Sequence, residues 1–424
     1  MNPYRLASAA GLIGFIAATS LGGAKRVGYA APPRTPLSVA VAVGTHPVGV
    51  AFNGQNHTFV VAAQGPVTDE QDPTGRSSLA ILDARTGRLD AIIPLGSGRH
   101  FAAGYYGCSC LAVDPTSDLL YASVTDHGAP ALLVIDTRRR SIRATWPYAG
   151  PAFPIPDRHV VYASTRDGKD TALLDARTGH TLRIIPVAAS AHVYASDQGQ
   201  VYLGAYDGRI VVLDAATGRR VLSMRPPTGP GGIAPEPVTA LAVDAAAHRL
   251  VVLYAQDMGA AIGFGLAFDT TTGSAVGVRF NDGAALALDT ATHRAVVVAL
   301  LSSNTSLGPT LIDTIDARAG RLAREEQPES GIHGAATLSV DGIRHRAYVA
   351  TMRYSVDGEY DTPPTLLYAV DTRTGRVAPG PRLPGGASPT PAAALDEALD
   401  VADGRLAVVV PGDGQVHIIE TARL

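Results

Sequence analysis

Charge is scarce in this 424-residue chain, and the two signs nearly cancel. Charged residues make up 17% of the sequence, the formal net charge is −3, and the longest run of cations is Arg138-Arg139-Arg140. A protein that holds a nucleic-acid backbone or an anionic membrane surface concentrates Lys and Arg on one side. We therefore expect no nucleic-acid partner. The 46% hydrophobic content also argues against a disordered chain.

Local catalytic motifs are missing as well. The sequence contains no Gly-x-Ser-x-Gly, no glycine-rich loop of the phosphate-binding type and no His-Glu-x-x-His. This absence excludes the common nucleophile, nucleotide and zinc-protease signatures. It does not exclude an enzyme whose residues come from distant segments, because such a site leaves no local pattern.

Cysteine is limited to Cys108 and Cys110, which are separated by one serine. Alternate residues of an extended strand lie about 6.6 Å apart at Cα. This spacing is near the upper limit for a disulfide, whose usual Cα separation is about 5.5–6 Å. A bond would need a bend, which Gly107 and Ser109 could allow. A strained disulfide, two buried thiols and a shared metal ion all remain open.

The N-terminus has the pattern of an export signal. Arg5 precedes an uncharged segment, residues 6–21, which is shorter than the roughly 20 residues of a spanning helix. Small residues follow, with candidate cleavage positions after Ala24 and Ala30. We predict a signal over residues 1–30, a linker over 31–36 and one domain over 37–424. The protein is then periplasmic, at the cell surface or secreted. A retained anchor and a cytoplasmic chain are the alternatives.

The most informative feature present is a short pattern, apolar-Asp-x-x-Thr-Gly. Its copies begin at Leu82, Leu174, Leu213, Phe268, Ile315 (with Ala319 in place of Thr) and Val370, and two weaker copies begin at Ile135 and Ile419. Asp can accept hydrogen bonds from backbone amides two residues on, and Gly tolerates positive φ, so the pattern predicts a turn between two strands.

Each copy of this turn belongs to a longer unit with four predicted strands. A first strand ends in Asp, as in Leu241–Asp244, and a turn that often closes with His-Arg leads to the second strand. Successive turn aspartates lie 39 to 55 residues apart, and four strands in about 40–50 residues are typical of a propeller blade. We predict an all-β fold, a β-propeller of eight four-stranded blades. Seven blades are the alternative, because residues 149–187 have a poor first strand.

The chain ends predict how the ring closes. The last unit stops after its third strand, and residues 37–43 form a spare strand ahead of the first complete unit. Pairing that strand with residues 415–420 would complete the last blade and remove two exposed strand edges.

A family resemblance begins at Val43-Gly-Thr-His-Pro47 and continues through the Asp-x-x-Thr-Gly turn. With Tyr348-Val-Ala-Thr351, this order of elements resembles the bacterial YVTN-type β-propeller family, within the quinoprotein-like superfamily. The resemblance implies the propeller fold and an exported protein with a binding role. Quinoprotein propellers carry a docking tryptophan in each repeat, whereas this chain has the single Trp146.

The two faces of such a ring should differ in function. The turns between first and second strands and between third and fourth strands share one face, the turn face. All long insertions belong to the opposite face, the insertion face, which joins second to third strands and each blade to the next. Variable loops on a rigid scaffold commonly carry function. Eight candidate ligand-binding residues lie in two of these insertions: Asp69, Glu70, Asp72, Tyr354, Asp357, Glu359, Tyr360 and Asp361.

These two insertions predict an acidic patch that binds a cation or a basic partner, and ordinary solvated loops are the simpler interpretation.

Histidines form two sets. Those that close first-to-second-strand turns are interpreted as structural: His57, His248, His293 and His345. Those near the predicted channel mouth are candidate ligands for copper or zinc, although packed imidazoles would explain them equally well: His46, His100, His192 and His333.

The sequence as a whole favours an exported monomeric propeller that binds a protein or a small molecule on its insertion face. It predicts no cofactor beyond a candidate metal ion and assigns no chemistry. The alternative function is a hydrolase or a metal-dependent oxidoreductase with its site at the channel mouth.

Overall fold

The computed structural model describes residues 38–44, 46–64, 77–102, 110–114, 116–227, 237–254, 264–281, 285–303, 306–328, 333–353, 365–384, 395–410 and 414–424. These residues form eight antiparallel sheets, so the predicted eight-bladed β-propeller is confirmed. The predicted signal and linker lie outside the described residues. Within the described residues, no helix is long and apolar enough to cross a membrane.

Blades 1 to 4 follow one another along the chain, and the first strand of each is the innermost. Blade 1 contains β2 (His46–Asn53), β3 (Thr58–Gln64), β4 (Ser78–Asp83) and β5 (Leu89–Pro94), and blade 2 contains β6 (Arg99–Phe101), β7 (Leu111–Asp114), β8 (Leu119–Asp126), β9 (Ala129–Asp136) and β10 (Ser141–Trp146). Blade 3 contains β11 (Ala149–Ile155), β12 (Val160–Ser164), β13 (Thr171–Asp175) and β14 (Thr181–Ile185), and blade 4 contains β15 (Ala189–Ala195), β16 (Gln200–Ala205), β17 (Ile210–Asp214) and β18 (Arg220–Met224).

Blades 5 to 8 repeat the arrangement. Blade 5 contains β19 (Val238–Asp244), β20 (Arg249–Tyr254), β21 (Phe264–Asp269) and β22 (Ala275–Asn281), and blade 6 contains β23 (Ala285–Asp289), β24 (Arg294–Ser303), β25 (Ser306–Asp316) and β26 (Arg321–Glu326). Blade 7 contains β27 (His333–Asp341), β28 (Arg346–Arg353), β29 (Thr365–Asp371) and β30 (Val377–Leu383), and blade 8 contains β31 (Asp396–Asp400), β32 (Arg405–Val409), β33 (Gln415–Glu420) and the N-terminal β1 (Ser38–Ala42). Within the described residues, short 3-10 helices cover Pro156–Arg158, Ser196–Gln198 and Thr421–Arg423.

The ring closes as the chain ends predicted. β1 pairs antiparallel with β33, from Ser38 opposite Ile419 to Ala42 opposite Gln415. The seven-blade alternative is wrong, because the weak first strand of the third unit does form as β11. That strand is irregular: its pairing with β12 shifts register between Ala149 and Phe153.

The core is divided among the junctions between blades. The described residues form eight apolar clusters, and each cluster joins two neighbouring blades. β3 illustrates the cause: Val60 and Ala62 pack toward blade 2, whereas Phe59 and Val61 pack toward blade 8. Side chains alternate between the two faces of a strand, and both faces of a blade are covered. The inner strands therefore read as continuous apolar runs instead of alternating ones.

The Asp-x-x-Thr-Gly turns have the predicted chemistry. In blade 3, Asp175 Oδ1 accepts hydrogen bonds from Thr178 N and Thr178 Oγ1, at 2.8 and 2.7 Å. Gly179 follows with φ of +71°, and a Cβ at that position would lie 2.3 Å from Trp146 Cε2 of blade 2. The turn thus needs glycine both for its backbone conformation and for the tryptophan that packs on it.

Removal of β1 tests the closure of the ring. A chain that begins at Val43 should unfold at a midpoint at least about 5 °C lower than a chain that begins at Leu37, because β33 loses its partner strand. Thermal unfolding followed by circular dichroism would measure the difference, and size-exclusion chromatography would detect association through the open edge. Equal midpoints for two monomeric chains would contradict closure by β1.

Candidate functional site

The inner strands of neighbouring blades adjoin one another around the axis. β2 lies beside both β31 and β7, and β27 lies beside both β23 and β31. Strand residues of different blades therefore meet at the axis or across one junction. Both places hold titratable side chains.

His192 is the channel histidine with the best-defined surroundings. It lies within β15, and its ring packs on the ring of Phe153 from blade 3, with centroids 4.1 Å apart. Burial lowers the pKa of His192 to about 4. The side chain also lines a small cleft between blades 3 and 4, together with Pro151, Thr171 and Ser190. The imidazole is therefore neutral at physiological pH, with one ring nitrogen that donates a hydrogen bond and one that can accept a proton or bind a metal ion.

The other predicted channel histidines are spread over three more blades. His46 begins β2 and His100 lies in β6, where burial lowers its pKa. His333 begins β27, but its side chain lies outside the described part of the structure. No group of three or more metal-ligating side chains in that described part includes His46, His100 or His192. The predicted metal site at the channel mouth thus stays a prediction.

The predicted acidic patch cannot be placed. Both of its loops, residues 65–76 and 354–364, lie outside the described residues, so it too stays a prediction.

Cys110 immediately precedes β7 and is disulfide-bonded. Cys108 lies outside the described residues, and its pairing with Cys110 remains the prediction made from the sequence.

Two acidic residues of β31 were not singled out by the sequence analysis. Asp396 accepts a hydrogen bond from the backbone N–H of Val50 in blade 1, at 2.9 Å. Burial raises the pKa of Asp396 to about 7 and that of Glu397 to about 8. The detectable signal was the strand itself, which begins with Asp-Glu where the equally long first strand of blade 6 begins with Ala285-Leu286.

The chemistry open to this pair is restricted by the strand geometry. Asp396 faces blade 1, whereas Glu397 lies beside Ser339 of blade 7. A carboxyl group with a pKa near 7 can donate or accept a proton at neutral pH. Neighbouring residues of a strand point in opposite directions, however. The two groups therefore do not form an acid–base pair acting on one atom.

Glu397 gives the fold a specific pH dependence. Its pKa is raised in the native state from an ordinary 4.5 to about 8, so the unfolded chain releases this proton first as pH rises. Stability should fall between about pH 4.5 and pH 8. Glu397→Gln should remove this loss and stabilise the protein at pH 8 by roughly 1–3 kcal/mol, with little gain at pH 4.5. Urea unfolding at the two pH values would measure it, and a difference independent of pH would contradict the assignment.

Two of the histidines interpreted as structural connect their blade to the one before it. His293 Nδ1 lies 2.6 Å from Asp244 Oδ2, and His345 Nδ1 lies 3.0 Å from Asp289 Oδ2. In each pair the aspartate is fully buried at the end of the preceding blade's first strand. For these two histidines the structural interpretation is confirmed, whereas His248 is exposed and its interpretation stays a prediction. The sequence showed both repeated positions but not that they contact each other.

The same histidines share an unusual backbone conformation. His57, His248, His293 and His345 all have φ between 51° and 57°. The backbone carbonyl of each accepts a hydrogen bond from the residue that follows the third-strand aspartate, as in Ala317 N to His293 O at 3.0 Å. Left-handed backbone turns the chain into the second strand, and in His293 and His345 it also places the imidazole against the preceding blade.

Substitution of Asp289, at the junction between blades 6 and 7, should lower the stability of the fold. Asp289 also accepts a hydrogen bond from Thr372 Oγ1 of blade 7. Asp289→Ala should therefore lower the free energy of unfolding by about 2–4 kcal/mol, because buried donors lose their acceptor. Asp167→Ala, in an exposed loop, is the matched control and should cost less than about 0.5 kcal/mol. Urea unfolding compares them, and equal effects would show that the junction contributes nothing specific.

Comparisons with known proteins support the architecture. Solved structures of similar fold include BamB from Moraxella catarrhalis, which is 16% identical, with 90% of this chain and 98% of that chain covered and a TM-score of 0.57. The computationally designed protein Ika8 is 16% identical, with 89% and 97% covered and a TM-score of 0.58. Hydrazine synthase of Kuenenia stuttgartiensis is 14% identical, with 74% and 95% covered and a TM-score of 0.52.

What these proteins share with the chain is the fold. At such low identities the likeness does not extend to activity or ligand. No protein-family model and no curated protein matches the sequence. The resemblance to the YVTN-type family accordingly remains a prediction.

Proposed function

We propose that this chain is an exported β-propeller that binds a protein or a small molecule through its insertion face and catalyses no reaction. The observation that supports this proposal is the difference between the two faces of the ring. One face is built from short, repeated turns, and the other contains connections whose lengths vary from blade to blade.

The turn face has little to offer a partner. Its turn aspartates are used locally, as in Asp214, whose Oδ1 accepts hydrogen bonds from Thr217 N and Thr217 Oγ1 at 2.8 and 2.6 Å. Backbone groups of the turn are also hydrogen-bonded to each other, since Gly218 N donates to Asp214 O at 2.9 Å. Groups already paired in this way would have to give up a hydrogen bond to bind a partner.

The insertion face differs in every blade. Two residues, 127–128, connect β8 to β9, whereas residues 65–77 connect β3 to β4 and residues 354–364 connect β28 to β29. The eight sheets beneath form a rigid platform, so differences in shape and charge are concentrated in these connections. Their acidic residues favour a basic segment or a cation as the ligand.

Binding is favoured over catalysis because the described titratable groups near the axis do not converge on one point. The channel histidines belong to separate blades, and the two acidic residues of β31 face opposite neighbours. A catalytic site needs such groups within hydrogen-bond reach of one reacting atom.

Site-specific photo-crosslinking in the cells that make the protein tests this proposal. A photoreactive amino acid in place of Asp69 or Tyr360 should capture one discrete species, because both positions belong to the insertion face. The same amino acid in place of Arg177 or Arg373, which are exposed on the turn face, provides the matched control. Crosslinks that form from the turn face alone, or equally from both faces, would overturn the proposal.

A further inference from the structure

The junction between blades 8 and 1 holds a cluster of three side chains that could ligate a metal ion. His57 Nδ1 lies 3.6 Å from Asp400 Oδ2 and 3.3 Å from Asp403 Oδ2. Ligand atoms of the three residues all lie within 4.8 Å of one another. The cluster is on the turn face, away from the insertion face and from the channel histidines.

One oxygen in this cluster is buried without a hydrogen-bond partner. The side chain of Asp400 is fully buried. Its Oδ1 accepts hydrogen bonds from Ala402 N and Asp403 N, at 3.0 and 3.2 Å. Its Oδ2, the oxygen that points at His57, has none, and neither has His57 Nδ1. An ionised oxygen taken out of water without a partner is costly, so it marks a place for a cation or a donor.

Other junctions show what a purely structural pair looks like. The imidazole–carboxylate distances are 2.6 Å between blades 5 and 6 and 3.0 Å between blades 6 and 7. Between blades 7 and 8, Arg344 Nη1 takes the place of the histidine, 2.6 Å from Asp341 Oδ2 and 2.8 Å from Val401 O. Each of these aspartates has a donor within hydrogen-bond distance of its Oδ2.

The closing junction is wider and carries an additional acid. The position three residues after the strand-end aspartate is Ala247, Thr292 and Arg344 in blades 5, 6 and 7, but Asp403 in blade 8. The result is two carboxylates facing one imidazole. Arg85 of blade 1 compensates part of this charge, with Nε 2.7 Å from Asp403 Oδ2. Its side chain is 59% exposed, so it can leave at small cost.

The observed spacings suit a tetrahedral metal ion. Zinc binds imidazole nitrogen at about 2.0–2.1 Å and carboxylate oxygen at about 2.0–2.2 Å. Two ligands of a tetrahedral ion therefore lie roughly 3.4 Å apart, and the two measured separations, 3.3 and 3.6 Å, bracket that value. They are too long for strong hydrogen bonds.

We infer that His57, Asp400 and Asp403 form a zinc site that clips the first blade to the last. The imidazole of blade 1 and the two carboxylates of blade 8 supply three ligands, and solvent reaches the fourth position through the exposed fraction of His57 and Asp403. Binding neutralises the buried charge of Asp400 and joins segments more than 340 residues apart in the chain. The zinc ion would thus join blade 8 to blade 1, at the place where the pairing of β1 with β33 also closes the ring.

Zinc binding by the full chain, stripped with chelator and titrated by calorimetry, tests this inference. Asp403→Asn should bind one zinc equivalent fewer than the wild type, or bind it at least about tenfold more weakly. His57→Asn should do the same, since Asn tolerates the left-handed backbone of that position. Asp197→Asn, an exposed acid of the same face, is the matched control and should leave binding unchanged.

Arg85→Gln separates a metal site from an ordinary ion-pair cluster. Removing the competing guanidinium should strengthen zinc binding several-fold, whereas it would only weaken a salt-bridge network. Zinc should also raise the unfolding temperature of the wild type but not that of Asp403→Asn. Equal zinc content and affinity in the wild type and Asp403→Asn would overturn the inference. So would binding that Arg85→Gln leaves unchanged or weakens.

Discussion

Every blade of this protein is apolar on both faces, and that constraint governs the structure. A sheet with two apolar faces must be covered on both sides, so an open row of such sheets would leave its two end blades exposed to water. A ring removes the ends. The eight apolar clusters, one at each junction, and the pairing of β1 with β33 are two parts of the same solution.

Polar contacts then align each blade with its neighbour. Buried Asp244 and Asp289 each receive an imidazole from the next blade, and left-handed backbone in the turn directs that imidazole across the junction. Apolar packing is nondirectional, whereas these hydrogen bonds need one geometry. The side chains of the turn face are therefore used to hold neighbouring blades together. The insertion face has no such role in the repeat and can vary, which agrees with the proposed function.

The closure is the place where the repeat departs from its own pattern. It joins the beginning of the chain to its end, and its histidine meets two carboxylates instead of one. Asp396 and Glu397 belong to the same blade and are buried at the neighbouring inner strand. Blade 8 is therefore the blade that β1 completes, and it also contains the buried Glu397 and Asp400. Ring closure, pH dependence and the inferred zinc site all concern this blade.

Only the structure decided between eight and seven blades, because the first strand of the third unit is irregular. The sequence by itself determined the turns, the repeated four-strand unit and the pairing of the chain ends. Those features depend on contacts within a few residues, as between Asp175 and Thr178, or on a pattern repeated along the chain. Tertiary structure alone decided that His57 faces Asp400 and that Asp396 meets Val50. These partners are separated by more than 340 residues, so no local pattern connects them. The distance from the imidazole to the carboxylate of the preceding blade is 3.0 Å at His345 and 3.6 Å from His57 to Asp400. This difference of less than 1 Å separates a hydrogen-bonded histidine from a candidate metal ligand, and it is set by packing across the whole ring.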